Sequence, residues 1–91
     1  MSQLNGRVAI VTGGVQGIGL GVSQSLARAG ASVVLAEAVE ERIPAAVAEI
    51  EALGAQALGV HTDVARASSV DHMVRATLER LGQIDILVNN A

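Results

Sequence analysis

The stretch Val8–Gly21, VAIVTGGVQGIGLG, decides the fold. Its opening run, Val8 to Thr12, is continuous, apolar and β-branched, which predicts a strand buried on both faces. The run breaks into glycines at Gly13, Gly14, Gly17, Gly19 and Gly21, and from Gly17 to Ala29 the spacing of Ile18, Val22 and Leu26 is helical. Gly30 then stands where a residue in the left-handed conformation ends a helix. A strand that turns through glycines into a helix leaves backbone amides free at the positive end of the helix dipole, and that is a site for a diphosphate. Glycine is needed there because a Cβ would block close approach and because some positions require positive φ. A kinase-type phosphate loop is excluded, since that motif needs a Lys after its last glycine and this chain has no Lys.

Outward from this turn the chain alternates. Ser32–Ala36, SVVLA, predicts a second strand. Ile43, Val47, Ile50 and Leu53 form the apolar face of a second helix, with Pro44 in or near its first turn and Gly54 at its end. Gln56–His61 predicts a third strand, interrupted by Gly59. Val70, Met73, Val74, Thr77, Leu78 and Leu81 make one stripe of a third helix, capped by Ser68 or Ser69 and closed by Gly82. Asp85–Asn89, DILVN, predicts the fourth strand. Strands alternating with helices imply a parallel sheet with right-handed crossovers, so the class is doubly wound α/β and residues 1–91 form part of one domain.

Composition removes several functions. Apolar residues are 51% of the 91, with no Phe, Tyr or Trp, so the core is Val, Leu, Ile and Ala. A net charge of −3 with six Arg gives no basic stripe, and the lack of aromatics gives no stacking platform, so nucleic acid is not an expected partner. The absence of Cys excludes disulfides, thiolate metal sites and cysteine nucleophiles. The opening MSQLNGR lacks the pattern of a signal peptide and no apolar run is long enough to span a bilayer, so a cytoplasmic location away from membranes is expected. His61 and His72 lie on different elements without a companion carboxylate pattern, which argues against a metal site and for a strand-end or surface role. Arg66, Arg75, Glu79 and Arg80 are expected on the solvated side of the third helix, and Asp85 as a loop hydrogen-bonding residue.

The glycine spacing is not the common G-x-G-x-x-G. Thr12-Gly13-x-x-x-Gly17-Ile18-Gly19 resembles the T-G-x-x-x-G-x-G turn of the short-chain dehydrogenase/reductase family. Further segments match in order: Glu37 after the second strand, Asp63-Val64 after the third, and Asn89-Asn90-Ala91 after the fourth. The resemblance implies a Rossmann-type sheet of strand order 3-2-1-4, incomplete relative to the family's seven strands. It implies that backbone from Gly13 through Val15, Gln16, Gly17 and Ile18 to Gly19 holds a cofactor diphosphate. Asp63 would bond the adenine amino group, Val64 would lie against the ring, and Asn90 with Ala91 would approach the adenosine ribose. Asn89 is expected to be structural.

Glu37 bears on the choice of cofactor. It lies at the end of a predicted strand, 18 residues past Gly19, where a carboxylate accepts hydrogen bonds from both ribose hydroxyls. A 2′-phosphate there meets like charge at short range. Gln16 and Ala38, where phosphate-binding relatives place Arg or Lys, are neutral. NAD is therefore expected over NADP.

In the family the resemblance points to, a Tyr of a Tyr-x-x-x-Lys motif is the general acid/base for hydride transfer between NAD(H) and an alcohol or carbonyl substrate. This chain contains neither Tyr nor Lys, and a Ser hydroxyl is too weak an acid to replace them, so no catalytic residue is expected within it and the 91 residues alone are expected to be inactive. The chain is expected to be the truncated N-terminal part of a longer dehydrogenase, which the resemblance makes a homotetramer. Strand 85–89 is then an apolar edge through which the isolated chain would self-associate. Two alternatives stay open: a non-catalytic nucleotide-binding module, and an S-adenosylmethionine-binding domain in which Gly17, Gly19 and Gly21 form a G-x-G-x-G turn.

Overall fold

A computed structural model describes residues 3–91; the reading of the N-terminal segment includes Met1 and Ser2, which lie outside the described residues. The elements run β1 (Val8–Thr12), α1 (Gly17–Arg28), β2 (Ser32–Glu37), a 3-10 turn (Glu40–Arg42), α2 (Ile43–Ala52), β3 (Ala57–His61), α3 (Ala67–Leu81) and β4 (Ile86–Asn89). The strands form one parallel sheet in the order β3-β2-β1-β4. This is the doubly wound α/β architecture that the alternation of strand and helix predicts.

Alternate residues of the strands face opposite sides of the sheet, and each side has its own core. Val11, Val33 and Leu35 pack with Ala27 of α1 and Ala46 and Ile50 of α2. Val8, Ile10, Val34, Ala36 and Val60 pack on the other side with Met73 of α3. Every residue of β1 is buried, which explains why its sequence shows no polar alternation. Gly59 weakens β3 as a sequence signal for a packing reason: a Cβ there would collide with Ile43 of α2. Gly30, Gly54 and Gly82 all take positive φ just past their helices, as the spacing predicts.

The structure departs from expectation in three places. Glu37 is the last residue of β2 rather than the residue after it. α3 begins at Ala67, its N-cap is Arg66, and no side chain caps it. Neither Ser68 nor Ser69 is the cap, because a turn closed by the Arg66 amide on the Asp63 carbonyl starts the helix earlier; the Ser69 hydroxyl instead accepts the Asp63 amide at 2.8 Å. Leu78, assigned to the apolar stripe, is 46% exposed, since the buried line of α3 runs through Met73 and Thr77.

Candidate functional site

From β1 the chain winds to β2 and β3 on one side, then crosses back to place β4 on the other. The sheet thus extends from β1 in both directions, and the carboxyl ends of β1 and β4 lie side by side at a topological switch point, where open α/β sheets form a crevice. The predicted site residues all sit at this end of the sheet. Gly13 follows β1, Glu37 ends β2, Asp63 and Val64 follow β3, and Asn90 and Ala91 follow β4.

The glycine turn has the conformation its composition requires. Gly13 and Gly17 have φ of 65° and 54°, a region that side chains with a Cβ seldom occupy. Gln16 is the extended N-cap of α1 and supplies no side-chain cap, so the first amides of α1, at Gly17, Ile18 and Gly19, have no partner within the helix. Val15 is buried in the core, which leaves only its backbone to the turn, whereas the Ile18 side chain is 81% exposed at the rim. Gly19 has a different task. A Cβ on it would collide with the Gly13 carbonyl and come within 2.6 Å of Asn90 Nδ2, so only glycine lets α1 lie this close to the strand end. Ser23, fully buried, fastens this packing from below, with Oγ 2.9 Å from the Gly19 carbonyl and 3.1 Å from the Gly14 carbonyl. Gly21 lies inside α1 and a Cβ there would meet nothing within 4 Å, so the G-x-G-x-G reading finds no close approach at its third glycine.

Thr12 joins the two strand ends. Its Oγ1 accepts the Asn90 amide at 2.9 Å and the Ala91 amide at 3.2 Å, and its single hydrogen is shared between two acceptors 3.3 Å away, the Val88 carbonyl and Asn89 Oδ1. Asn90 Nδ2 donates to the Gly13 carbonyl at 3.2 Å. Gly13, Gly19, Asn90 and Ala91 are thus brought into one cluster, while Asn89 turns its side chain back onto Thr12.

Glu37 is buried at 7% exposure, with Oε2 accepting the Val39 amide at 3.0 Å. Its other oxygen, Oε1, has no hydrogen-bond partner among the described residues. β2 delivers this carboxylate beside the glycine turn, since the Gly13 amide donates to the Ala36 carbonyl at 2.8 Å. Neutral, exposed Ala38 follows. Asp63 is exposed and its Oδ1 accepts the Ala65 amide at 3.0 Å. It makes no hydrogen bond to Glu37, Asn90 or the glycine turn among the described residues. Val64, 47% exposed, lines a cleft of about 180 Å³ with Thr12, Val70, Met73, Leu87 and Asn89.

A larger hollow, about 380 Å³, opens at the opposite end of the sheet between the ends of α1 and α2, lined by Asn5, Arg28, Gly54 and Gln56 among others. It contains no carboxylate or histidine, so the converging functional groups lie at the carboxyl end despite its smaller cleft. Asp85 also belongs to the far end. Its carboxylate accepts the Val8 amide at 2.8 Å and Gln83 Nε2 at 2.6 Å and pairs with Arg7 at 3.5 Å, as expected of a loop hydrogen-bonding residue. The Val8 amide above all, then Gln83 and Arg7, hold its carboxyl below the ordinary value of 3.8. Among the described residues no group of three or more His, Asp or Glu is placed to hold a metal ion, and no helix is long and apolar enough to cross a membrane.

Sequence reasoning named Thr12 only as part of the turn motif and set His61 aside. A lone hydroxyl at the end of an apolar strand was the available signal for Thr12. His61, the register partner of Glu37, carried no such signal; its Nε2 lies 2.9 Å from the Ala38 carbonyl.

Comparison with known proteins agrees with this geometry. The profile of the short chain dehydrogenase family matches residues 7–91. A short chain dehydrogenase/reductase of Aspergillus oryzae, astE, is 49% identical over 89 residues, covering 97% of this chain and 34% of its own length. Among solved structures, a hydroxysteroid dehydrogenase from Escherichia coli superposes with a TM-score of 0.94 at 37% identity, over 98% of this chain and 38% of that one. NAD+-bound xylitol dehydrogenase gives a TM-score of 0.94 at 32% identity, over 98% and 34%. The chain spans about a third of the length of the curated relatives it matches. With the glycine turn, the strand order and the family profile in agreement over nearly all of its length, this chain belongs to the short-chain dehydrogenase family.

Proposed function

We propose that residues 1–91 are the N-terminal dinucleotide-binding part of a short-chain dehydrogenase that prefers NAD over NADP and transfers hydride between NAD(H) and an alcohol or carbonyl substrate. Family membership carries the coarser statement, an oxidoreductase using a nicotinamide dinucleotide. The choice of NAD rests on one observation: the carboxylate of Glu37 ends β2 at the carboxyl end of the sheet, with one oxygen accepting the Val39 amide and the other without a hydrogen-bond partner among the described residues. A carboxylate so held accepts ribose hydroxyls and repels a 2′-phosphate.

The residues present fit the dinucleotide. The uncapped amides of Gly17, Ile18 and Gly19 suit a diphosphate, and the lack of a Cβ at Gly19 lets α1 bring them close to the end of β1. Val64 offers an apolar wall and Asp63 an exposed carboxylate for an adenine edge, and Asn90 and Ala91 close the cluster beside Gly13. When bound, the cofactor supplies the hydride-carrying nicotinamide; the residues of this chain bind and orient it. They include no Tyr or Lys for proton transfer, so the 91 residues by themselves bind without turning substrate over. Relatives named for a steroid and for xylitol support no substrate narrower than an alcohol or carbonyl compound.

The test is a fluorescence titration of the chain with NADH and NADPH. The protein has no Trp or Tyr to interfere with nicotinamide emission. Saturable binding with NADH about 5- to 150-fold tighter is expected, the span of a coupling of 1 to 3 kcal/mol. Equal affinity for the two would overturn the assignment of Glu37, and no binding of either would overturn the nucleotide-binding reading.

A further inference from the structure

We infer that His61 is a positioning residue for the adenosine-ribose end of the site, an inference that rests on the proposal that Glu37 receives that ribose. The chain leaves β2 through Glu37, Ala38 and Val39, and β3 grips it there. The Thr62 amide donates to the Glu37 carbonyl at 2.8 Å, and His61 Nε2 lies 2.9 Å from the Ala38 carbonyl. A carbonyl only accepts, so Nε2 carries the hydrogen and His61 is the donor. The Ala38 carbonyl and the Val39 amide belong to the same planar peptide unit, which here is trans. His61 therefore holds one end of that plane while the carboxylate of Glu37 holds the other, through the Val39 amide at 3.0 Å.

The consequence is a relay of orientation. Free to rotate, the exposed Ala38–Val39 peptide would take its amide away from Glu37 Oε2, and the carboxylate would lose the contact that fixes its orientation. With His61 in place, the amide stays aimed at Oε2 before any ligand arrives, so less ordering remains to be done on binding. Among the described residues His61 makes no ion pair and no hydrogen bond to the glycine turn; its one hydrogen bond is to the backbone that Glu37 also uses.

The test compares the chain with His61→Ala, which removes the donor, and His61→Gln, whose Nε2 amide restores it at the same reach. Affinities for 5′-AMP and 2′-deoxy-5′-AMP are measured, since their ratio reports the ribose hydroxyl that Glu37 is proposed to bind. His61→Ala is expected to reduce that ratio about threefold to tenfold, the yield of one hydrogen bond, with His61→Gln within about twofold of the parent and far-UV unfolding midpoints alike. A ratio unchanged in His61→Ala, or lost equally in His61→Gln, overturns the role of His61. If the parent itself does not distinguish the two nucleotides, the ribose assignment of Glu37 has failed and the role of His61 falls with it.

Discussion

Thr12 and Asn90 lie 78 residues apart in sequence, yet the Thr12 hydroxyl accepts the Asn90 amide at 2.9 Å. This bond, with its neighbour from Ala91, ties the end of β1 to the end of β4 across the switch point. The glycine turn is thereby set against the β4 terminus, with the Asn90 side chain on the Gly13 carbonyl. Thr12→Val keeps the shape of the side chain and removes the acceptor, leaving two amides without a partner. It is expected to lower stability by about 1–3 kcal/mol and to weaken NADH binding, whereas Thr12→Ser retains both. Urea unfolding followed by far-UV circular dichroism, beside NADH titration, checks this; a Val variant as stable as the parent would show the tie to be unimportant.

The glycines of α1 separate by environment. At Gly19 a Cβ meets the Gly13 carbonyl, so Gly19→Ala is expected to shift α1 and lower NADH affinity at least about tenfold, the effect of misplacing the diphosphate amides by a fraction of an ångström. At Gly21 a Cβ meets nothing within 4 Å, and alanine is the better helix former by about 0.8–1 kcal/mol, so Gly21→Ala is expected to stabilise the chain and leave NADH binding alone. The pair of thermal melts and titrations decides; loss of binding in Gly21→Ala would revive a turn that extends to the third glycine.

Glu37→Arg replaces the carboxylate at the end of β2 by a phosphate-binding group. NADH affinity is expected to fall and NADPH affinity to rise, moving their ratio about tenfold or more toward NADPH. Competition of NADPH against bound NADH gives the ratio directly. An unmoved preference would mean that the 2′ position lies elsewhere.

Leu87 is 61% exposed on β4, a strand paired only with β1 among the described residues. Its outer edge presents unpaired backbone groups beside an apolar side chain, the combination that templates strand addition. Association of the 91-residue chain that rises with concentration is expected in sedimentation velocity, and Leu87→Lys is expected to suppress it while changing unfolding by no more than about 0.5 kcal/mol. A monomeric parent at high concentration would show that the edge is already protected.

How much of this was legible in the sequence depends on the range of each interaction. The turn from Val8 to Gly21 was readable because strand, glycines and helix are adjacent, and each obeys a local rule. The start of α3 was misplaced because the hydroxyl of Ser69 serves Asp63 rather than the helix end, a choice made by the loop geometry. The burial of Glu37, the grip of His61 on Ala38 and the bonding of Thr12 to Asn90 all require strands far apart in the chain to lie side by side. Periodicity finds the strands but does not say which side chain at the strand end meets which backbone group.

Asp85 is expected to make the stability of the fold depend on acid. Its carboxylate receives the first amide of β1 and the side chain of Gln83, contacts that favour the charged form and hold the folded value below the ordinary 3.8. A group lowered on folding contributes stability that is fully present above its unfolded value and is lost as pH falls through the folded one. Asp85→Asn cannot ionise, so it is expected to be less stable than the parent near pH 6, with the gap closing below pH 3.8 as the parent is protonated. Urea midpoints from pH 7 to pH 3 measure the gap directly. If it stays constant across that range, the charge on Asp85 is not what fastens β1 to the segment entering β4.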